Sequence, residues 1–285
     1  MTNLTWFPFS LIATTCFGVA MAFYKLPSAK NQSKYAVSFW QLFFNLALSL
    51  IFFYKFIPLT NMSTVLYGSA WGLSFLLLSL LQMKALKDID TNMLFPITTS
   101  LSLVVTVLFG VFFFKDHISL VQIVGMILVV VAVSLFSYKG KKLQYSKEIL
   151  ILGMGVIFLS FSGKIIQKFA ANGVDIHTFQ IYEYLSAVVF SLMLNLYVHK
   201  KELKQHLFSS SIKSGAIIGV PSFLGGYMLL IALTKGPFSL VTSIHSLYVL
   251  ITAMTAYFIF KEKLTLRKTI LIIVAIIATI LIKIG

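Results

Sequence analysis

The chain has 285 residues, of which 59% are hydrophobic and 11% charged, with a mean hydropathy of +0.94. A water-soluble domain of this length cannot bury so much apolar surface, whereas a bilayer rewards it around the whole circumference of each helix. The net charge of +15 is dispersed in short loops between apolar blocks, a pattern that orients a membrane protein and excludes a nucleic-acid partner.

Apolar runs of about 17–25 residues are long enough to cross a bilayer. They fall at 7–24, 36–54, 64–83, 92–114, 118–138, 149–169, 178–198, 212–233, 238–260 and 266–284, and predict ten spanning helices. Helix is the conformation that satisfies each segment's own backbone groups in lipid. Short corners join them: Leu26-Pro27-Ser28, Lys139-Gly140-Lys141-Lys142, Asn172-Gly173 and Gly236-Pro237.

Span one has neither a basic region ahead of it nor a small-residue cleavage site, so it reads as a retained helix. The single cysteine, Cys16, sits there among Thr14, Thr15 and Gly18 as packing material, and excludes an intrachain disulfide. Trp6, at the start of this span, is expected in an interfacial aromatic belt. Span two carries Trp40. Span three carries Trp71 deep within it, a candidate for stacking on a substrate, and ends at Lys84, which reads as snorkelling to the headgroups. Span four holds Pro96 and a polar band, Thr98, Thr99, Ser100 and Ser102.

Ionisable groups inside spans cost about 2.5–3.5 kcal/mol each on insertion scales, so each needs an explanation. Span six places Lys164, Lys168 and Ser160 on one face, and span seven contains Glu183 between Tyr182 and Tyr184. Lys164 and Glu183 fall at similar depths, about 8 Å below one surface at a rise of about 1.5 Å per residue. An ion pair between them is therefore expected, either structural or serving a substrate or proton; Lys168 alone would snorkel. Span eight contains Pro221 near Gly225-Gly226, a hinge or a packing kink, followed by Tyr227 and Lys235. Span nine carries His245 amid Thr242, Ser243, Ser246 and Tyr248. Imidazole can bind an anionic group or carry a proton, or simply bond a neighbouring helix.

The two halves of the chain resemble one another. Residues 111–122 (VFFFKDHISLVQ) align with 257–268 (YFIFKEKLTLRK) at a spacing of 146, and Ala85-Leu86 aligns with Ala232-Leu233. At that spacing the mate of His245 is Thr99, so two polar bands occupy matching depths. Each repeat, 1–142 and 143–285, contains an odd number of spans, so the second copy must be inserted upside down. The fold class expected is all-α integral membrane, with ten helices in two inverted repeats of five. Of the Lys and Arg residues, 17 lie on the side of the odd-numbered connections and 6 on the other. The positive-inside rule then puts the odd-numbered connections in the cytoplasm and both termini outside.

Ten spans in two halves, the Ala-Leu endings of spans three and eight, and the corners Phe114-Lys115-Asp116 and Phe260-Lys261-Glu262 resemble the drug/metabolite transporter superfamily, EamA-type. Pro96 fits the proline usual in that family's fourth helix; span nine has Thr242 or Ser243 instead. The resemblance implies that spans four and nine line a central cavity in a plasma (inner) membrane transporter, and it implies cytoplasmic termini, opposite to the charge count. Members move amino acids, sugars, nucleotide-sugars, choline or drugs. Span one lacks the glutamate on which the small multidrug branch relies.

No Walker-type loop, His-Glu zinc motif or nucleophile elbow occurs, so ATP-driven pumping and hydrolysis are disfavoured and no cofactor or metal is expected. The function expected is secondary or facilitative transport, as efflux, of a small polar metabolite such as an amino acid or related anionic or zwitterionic compound. The candidate binding residues are His245, Thr98, Thr99, Lys164, Glu183, Trp71, Tyr227, Tyr248 and Ser246, with protons as a candidate coupling ion. A drug or aromatic-cation exporter, using cation–π contacts, is the alternative, and a non-transporting receptor or scaffold is the alternative of another class. The expected partners are the substrate and the bilayer, in a monomer or homodimer.

Overall fold

The computed structural model describes residues 5–86, 91–136, 147–199, 211–260 and 265–285. All regular structure among them is helical: α1 (Trp6–Phe23), α2 (Leu26–Ala29), α3 (Lys34–Phe53), α4 (Met62–Ala85), α5 (Thr91–Phe112), α6 (Leu120–Phe136), α7 (Lys147–Gly173), α8 (Ile176–His199), α9 (Ser211–Lys235), α10 (Phe238–Ser246), α11 (Tyr248–Phe260) and α12 (Leu266–Ile284), with a 3-10 turn at Tyr54–Leu59. Over the described residues, helical segments occupy each of the ten apolar runs. Among the described residues seven stretches are both long and apolar enough to cross a membrane, and Thr98–Phe112 and Leu120–Leu135 are shorter apolar helices. The chain is a multi-pass membrane protein. The corners at Lys139–Lys142 and Lys261-Glu262, and the cluster Lys200, Lys201 and Lys204, lie outside the described residues.

Local chemistry sets several helix starts. Ser33 accepts from the Ala36 N–H at 3.4 Å, Asn61 from Thr64 at 2.8 Å and Asp175 from Thr178 at 2.9 Å, each satisfying an N–H that has no partner inside its helix. At the corner after α5, Lys115 adopts a left-handed φ of 53°, and the chain turns so that the Asp116 N–H bonds back to Gly110 O at 3.2 Å.

Neighbours in sequence are often not neighbours in space. α4 packs against both α7 and α8, α3 against α8 and α9, α1 against α9 and α11, α5 against α7 and α10, and α6 against α12. Two of these crossings use glycines four residues apart, which let backbones approach without a hydrophobic driving force. A Cβ on Gly68 would meet the Tyr182 side chain, and one on Gly72 would overlap Glu183 O, so α4 lies tightly against α8. Gly215 and Gly219 set α9 against Trp40 and Gln41 of α3 in the same way. The faces of α6 and α12 that carry Leu120, Val124, Ile127, Ile273, Ile277 and Ile280 are exposed and apolar, as a lipid-facing surface requires.

Three sequence expectations are corrected. Trp6 is 2% exposed and lies against Gly236, inside the protein rather than in an interfacial belt. Lys168 does not snorkel: its Nζ donates to Leu233 O at 2.7 Å and Gly236 O at 3.2 Å, meeting the carbonyls left open where α9 ends. Span nine is two helices. Leu247 N–H bonds Ile244 O at 3.0 Å and Leu250 N–H bonds Leu247 O at 2.9 Å, a tighter pattern that interrupts the α-helix between His245 and Tyr248.

Candidate functional site

A cavity offering water-sized molecules about 80 Å³ lies where α1, α4, α5, α7, α9 and the α10–α11 break converge. One face of each helix supplies it. Trp71, Phe75, Leu78 and Gln82 recur along α4 at helical spacing; Ser160, Lys164 and Gln167 do so along α7, and Phe17 and Met21 along α1. Thr99 and Ser102 enter from α5, Leu229 from α9, and His245 and Tyr248 from the two sides of the break. Gly163 makes room for the Trp71 indole, since a Cβ there would overlap the ring.

The two polar bands meet directly. Thr99 Oγ1 and Tyr248 Oη are 2.9 Å apart, and Phe17 stands edge-on to the His245 ring at 4.9 Å. Ser102 Oγ and His245 Nδ1 are buried without a hydrogen-bond partner among the described residues. The Trp71 indole N–H turns towards Glu183 without completing hydrogen-bond geometry. Lys164 lies close to His245, and among the described residues it has neither an ion-pair nor a hydrogen-bond partner.

The structure therefore brings together His245, Thr99, Lys164, Trp71 and Tyr248. The other four candidates lie outside the lining. Thr98 is buried beside it, and Ser246 Oγ donates to Ser243 O at 2.6 Å within its own helix. Glu183 is 4% exposed in the α4–α8 interface. The expected Lys164–Glu183 pair does not form, because α4 stands between α7 and α8. Tyr227 faces away: its hydroxyl meets His177 Nε2 at 3.0 Å, and His177 Nδ1 meets Asp175 Oδ2 at 3.1 Å. Phe56 stacks on that imidazole at 3.9 Å. Partial burial pushes the Asp175 carboxyl up, but the Thr178 N–H and the His177 ring outweigh it and hold it below the ordinary carboxylate value. Gln82 and Gln167 were not anticipated as lining residues, although they share helix faces with Trp71 and Lys164.

Among the described residues no three His, Cys, Asp or Glu side chains gather as a metal would need. A second recess of about 450 Å³ between α5 and α6 is lined by Val, Leu, Ile and Met, with Asp116 at one end, and offers little for recognising a polar solute.

At one end of the molecule two charged side chains hold the turn between α9 and α10. Asp116 Oδ2 accepts from the Ser239 N–H at 2.7 Å, at the positive N-terminus of α10, while Lys168 holds the negative C-terminus of α9. The turn between those helices is thus held from both sides, with Trp6 packed on Gly236 and Gly285 beside Ser119 at the same end. We call it the terminal face.

No curated protein matches the chain. A solved structure titled "Crystal structure of protein" superposes with a TM-score of 0.77 at 11% identity, covering 97% of this chain and 98% of that one, which supports the fold alone. The family described as "Sugar transport protein" matches residues 9–284, and the chain belongs to that family of membrane transporters.

Proposed function

We propose that the chain is a secondary transporter that carries a sugar-like, polyhydroxylated solute through this cavity by alternating access. The observation that carries the reading is a set of three buried polar atoms without partners among the described residues, Ser102 Oγ, His245 Nδ1 and Trp71 Nε1, on residues that line one cavity. Such atoms are rare and expensive unless a solute or water completes their bonding. A sugar presents hydroxyls that both donate and accept, around faces of C–H groups. Gln82, Gln167, Thr99, Ser102 and Ser160 match the first, and the rings of Trp71, Phe75 and Phe17 match the second.

We further read the fold as an inverted repeat of five plus five helices, with halves 1–142 and 143–285, in the manner of the EamA-type drug/metabolite transporters. Exchanging each helix for its mate 146–147 residues away turns the α4–α8 contact into α9–α3 and the α1–α9 contact into α7–α4. Gly68 and Gly72 become Gly215 and Gly219. The interrupted helix beside the site matches the broken helices that line many transporter sites. A plasma-membrane location and outward transport follow from the resemblance. An amino-acid substrate keeps one support, Lys164, but the described lining offers no carboxylate to an ammonium group.

Uptake by proteoliposomes tests the function. At least one labelled monosaccharide should equilibrate in wild-type vesicles, and Ser102→Ala with Gln82→Leu should slow it by about tenfold or more while the protein stays monodisperse. Wild-type vesicles impermeable to every monosaccharide, or a double variant as fast as wild type, would refute it.

A further inference from the structure

We propose that the sugar carried bears an anionic group, a carboxylate or a phosphate ester, which Lys164 holds. The inference rests on the sugar reading above and adds the charge of the substrate. α7 carries two lysines one turn apart, and the protein treats them oppositely. Lys168 is answered by the Leu233 and Gly236 carbonyls and lies near Asp116. Lys164 projects into the cavity, half-buried, with no ion-pair or hydrogen-bond partner among the described residues. The described lining contains no Asp or Glu, and Glu183, which interacts with Trp71, lies in the α4–α8 interface instead.

A lone ammonium in a low-dielectric wall is costly until an anion arrives, and the attraction is then far stronger than in water. The neighbours suit an anion as well. Gln167 and Ser160 lie one turn to either side of Lys164 on the same face of α7 and can donate to the oxygens that Lys164 leaves free. An organic cation would meet repulsion from Lys164, and a neutral sugar would leave its charge unanswered.

Binding to purified protein decides the point, with glucose, glucuronate and glucose 6-phosphate as probes and wild type, Lys164→Met and Lys164→Arg as proteins. Wild type should bind one of the anions at least about tenfold more tightly than glucose. Which anion it is identifies a carboxylate or a phosphate ester. The anion-to-glucose affinity ratio should fall to near one in Lys164→Met and persist in Lys164→Arg. Glucose bound as tightly as both anions by wild type, or a ratio that survives Lys164→Met, overturns the proposal and leaves the sugar reading standing. No binding of any probe overturns the anion proposal, and the sugar reading then stands or falls with the uptake of other monosaccharides. If Lys164→Met does not fold, Lys164→Gln replaces it, with the same fall in the ratio expected.

Discussion

Asp175 does two things with one carboxylate: Oδ1 accepts from the His177 and Thr178 N–H groups that open α8, and Oδ2 orients the His177 ring towards Tyr227. Replacing such a cap by Ala costs about 0.5–2 kcal/mol, so Asp175→Ala should lower the melting temperature. The pH dependence has a definite sign. A carboxyl held below its ordinary value stabilises the fold above the unfolded value, about 3.9, and loses that stabilisation as pH falls through the lower folded value. In a His177→Gln background, which leaves the Thr178 N–H as the main support of the carboxylate, the melting difference between Asp175 and Asp175→Ala should hold from pH 8 to pH 5. It should shrink only in stronger acid. A difference already gone at pH 5 would mean that the carboxylate is not held by the α8 N–H groups. The same residues show what the sequence could reveal. His245, Thr99, Lys164, Trp71 and Tyr248 stand out as polar or aromatic groups deep in apolar runs, and they do converge. Gln82 and Gln167 were overlooked because neutral amides near span ends carry no alarm, although helical spacing from Trp71 and Lys164 would have found them. Tyr227 misled because depth in a span does not say which way a side chain faces.

Elements explain both the accurate and the inaccurate expectations. That the chain is helical, and where its helices fall, was legible because lipid leaves the backbone no other choice. Which helices touch was not: the pairing of Lys164 with Glu183 assumed that α7 and α8 form a hairpin, and α4 separates them. The break at Leu247 also left no trace, since neither Pro nor Gly marks it. The turn between α9 and α10 gives the α5–α6 corner a purpose, because Asp116 and Lys168 hold opposite ends of two helix dipoles. In the proposed alternating access these contacts part when the cavity opens at that end. Hydrogen bonds to charged groups contribute about 1.5–3 kcal/mol each, so Lys168→Met should raise the open population at least about tenfold. With Cys16→Ser as background and Ser239→Cys as reporter, a membrane-impermeant maleimide should label the Lys168→Met protein correspondingly faster. Equal labelling rates would reduce Lys168 to a packing group.

The whole molecule poses a conflict between two regularities, its charge distribution and its resemblance. The terminal face gathers Trp6, Asp116, Gly236 and Gly285, and the corners there are short and poor in Lys and Arg. Of the 23 basic residues, 17 belong to the opposite side. Charge acts during insertion through the cost of carrying Lys and Arg outward, and loops this short are the ones that obey the rule. The resemblance to EamA-type transporters points the other way, to cytoplasmic termini. We predict that charge wins and that the terminal face looks outward, which places the contacts of Asp116 and Lys168 with the α9–α10 turn on the extracellular side. A reporter active only in the cytoplasm should be silent when fused after Gly285 and active when fused after Lys201. The opposite pair of results would show that a basic loop here can be carried across the membrane, and would move the same contacts to the cytoplasmic side.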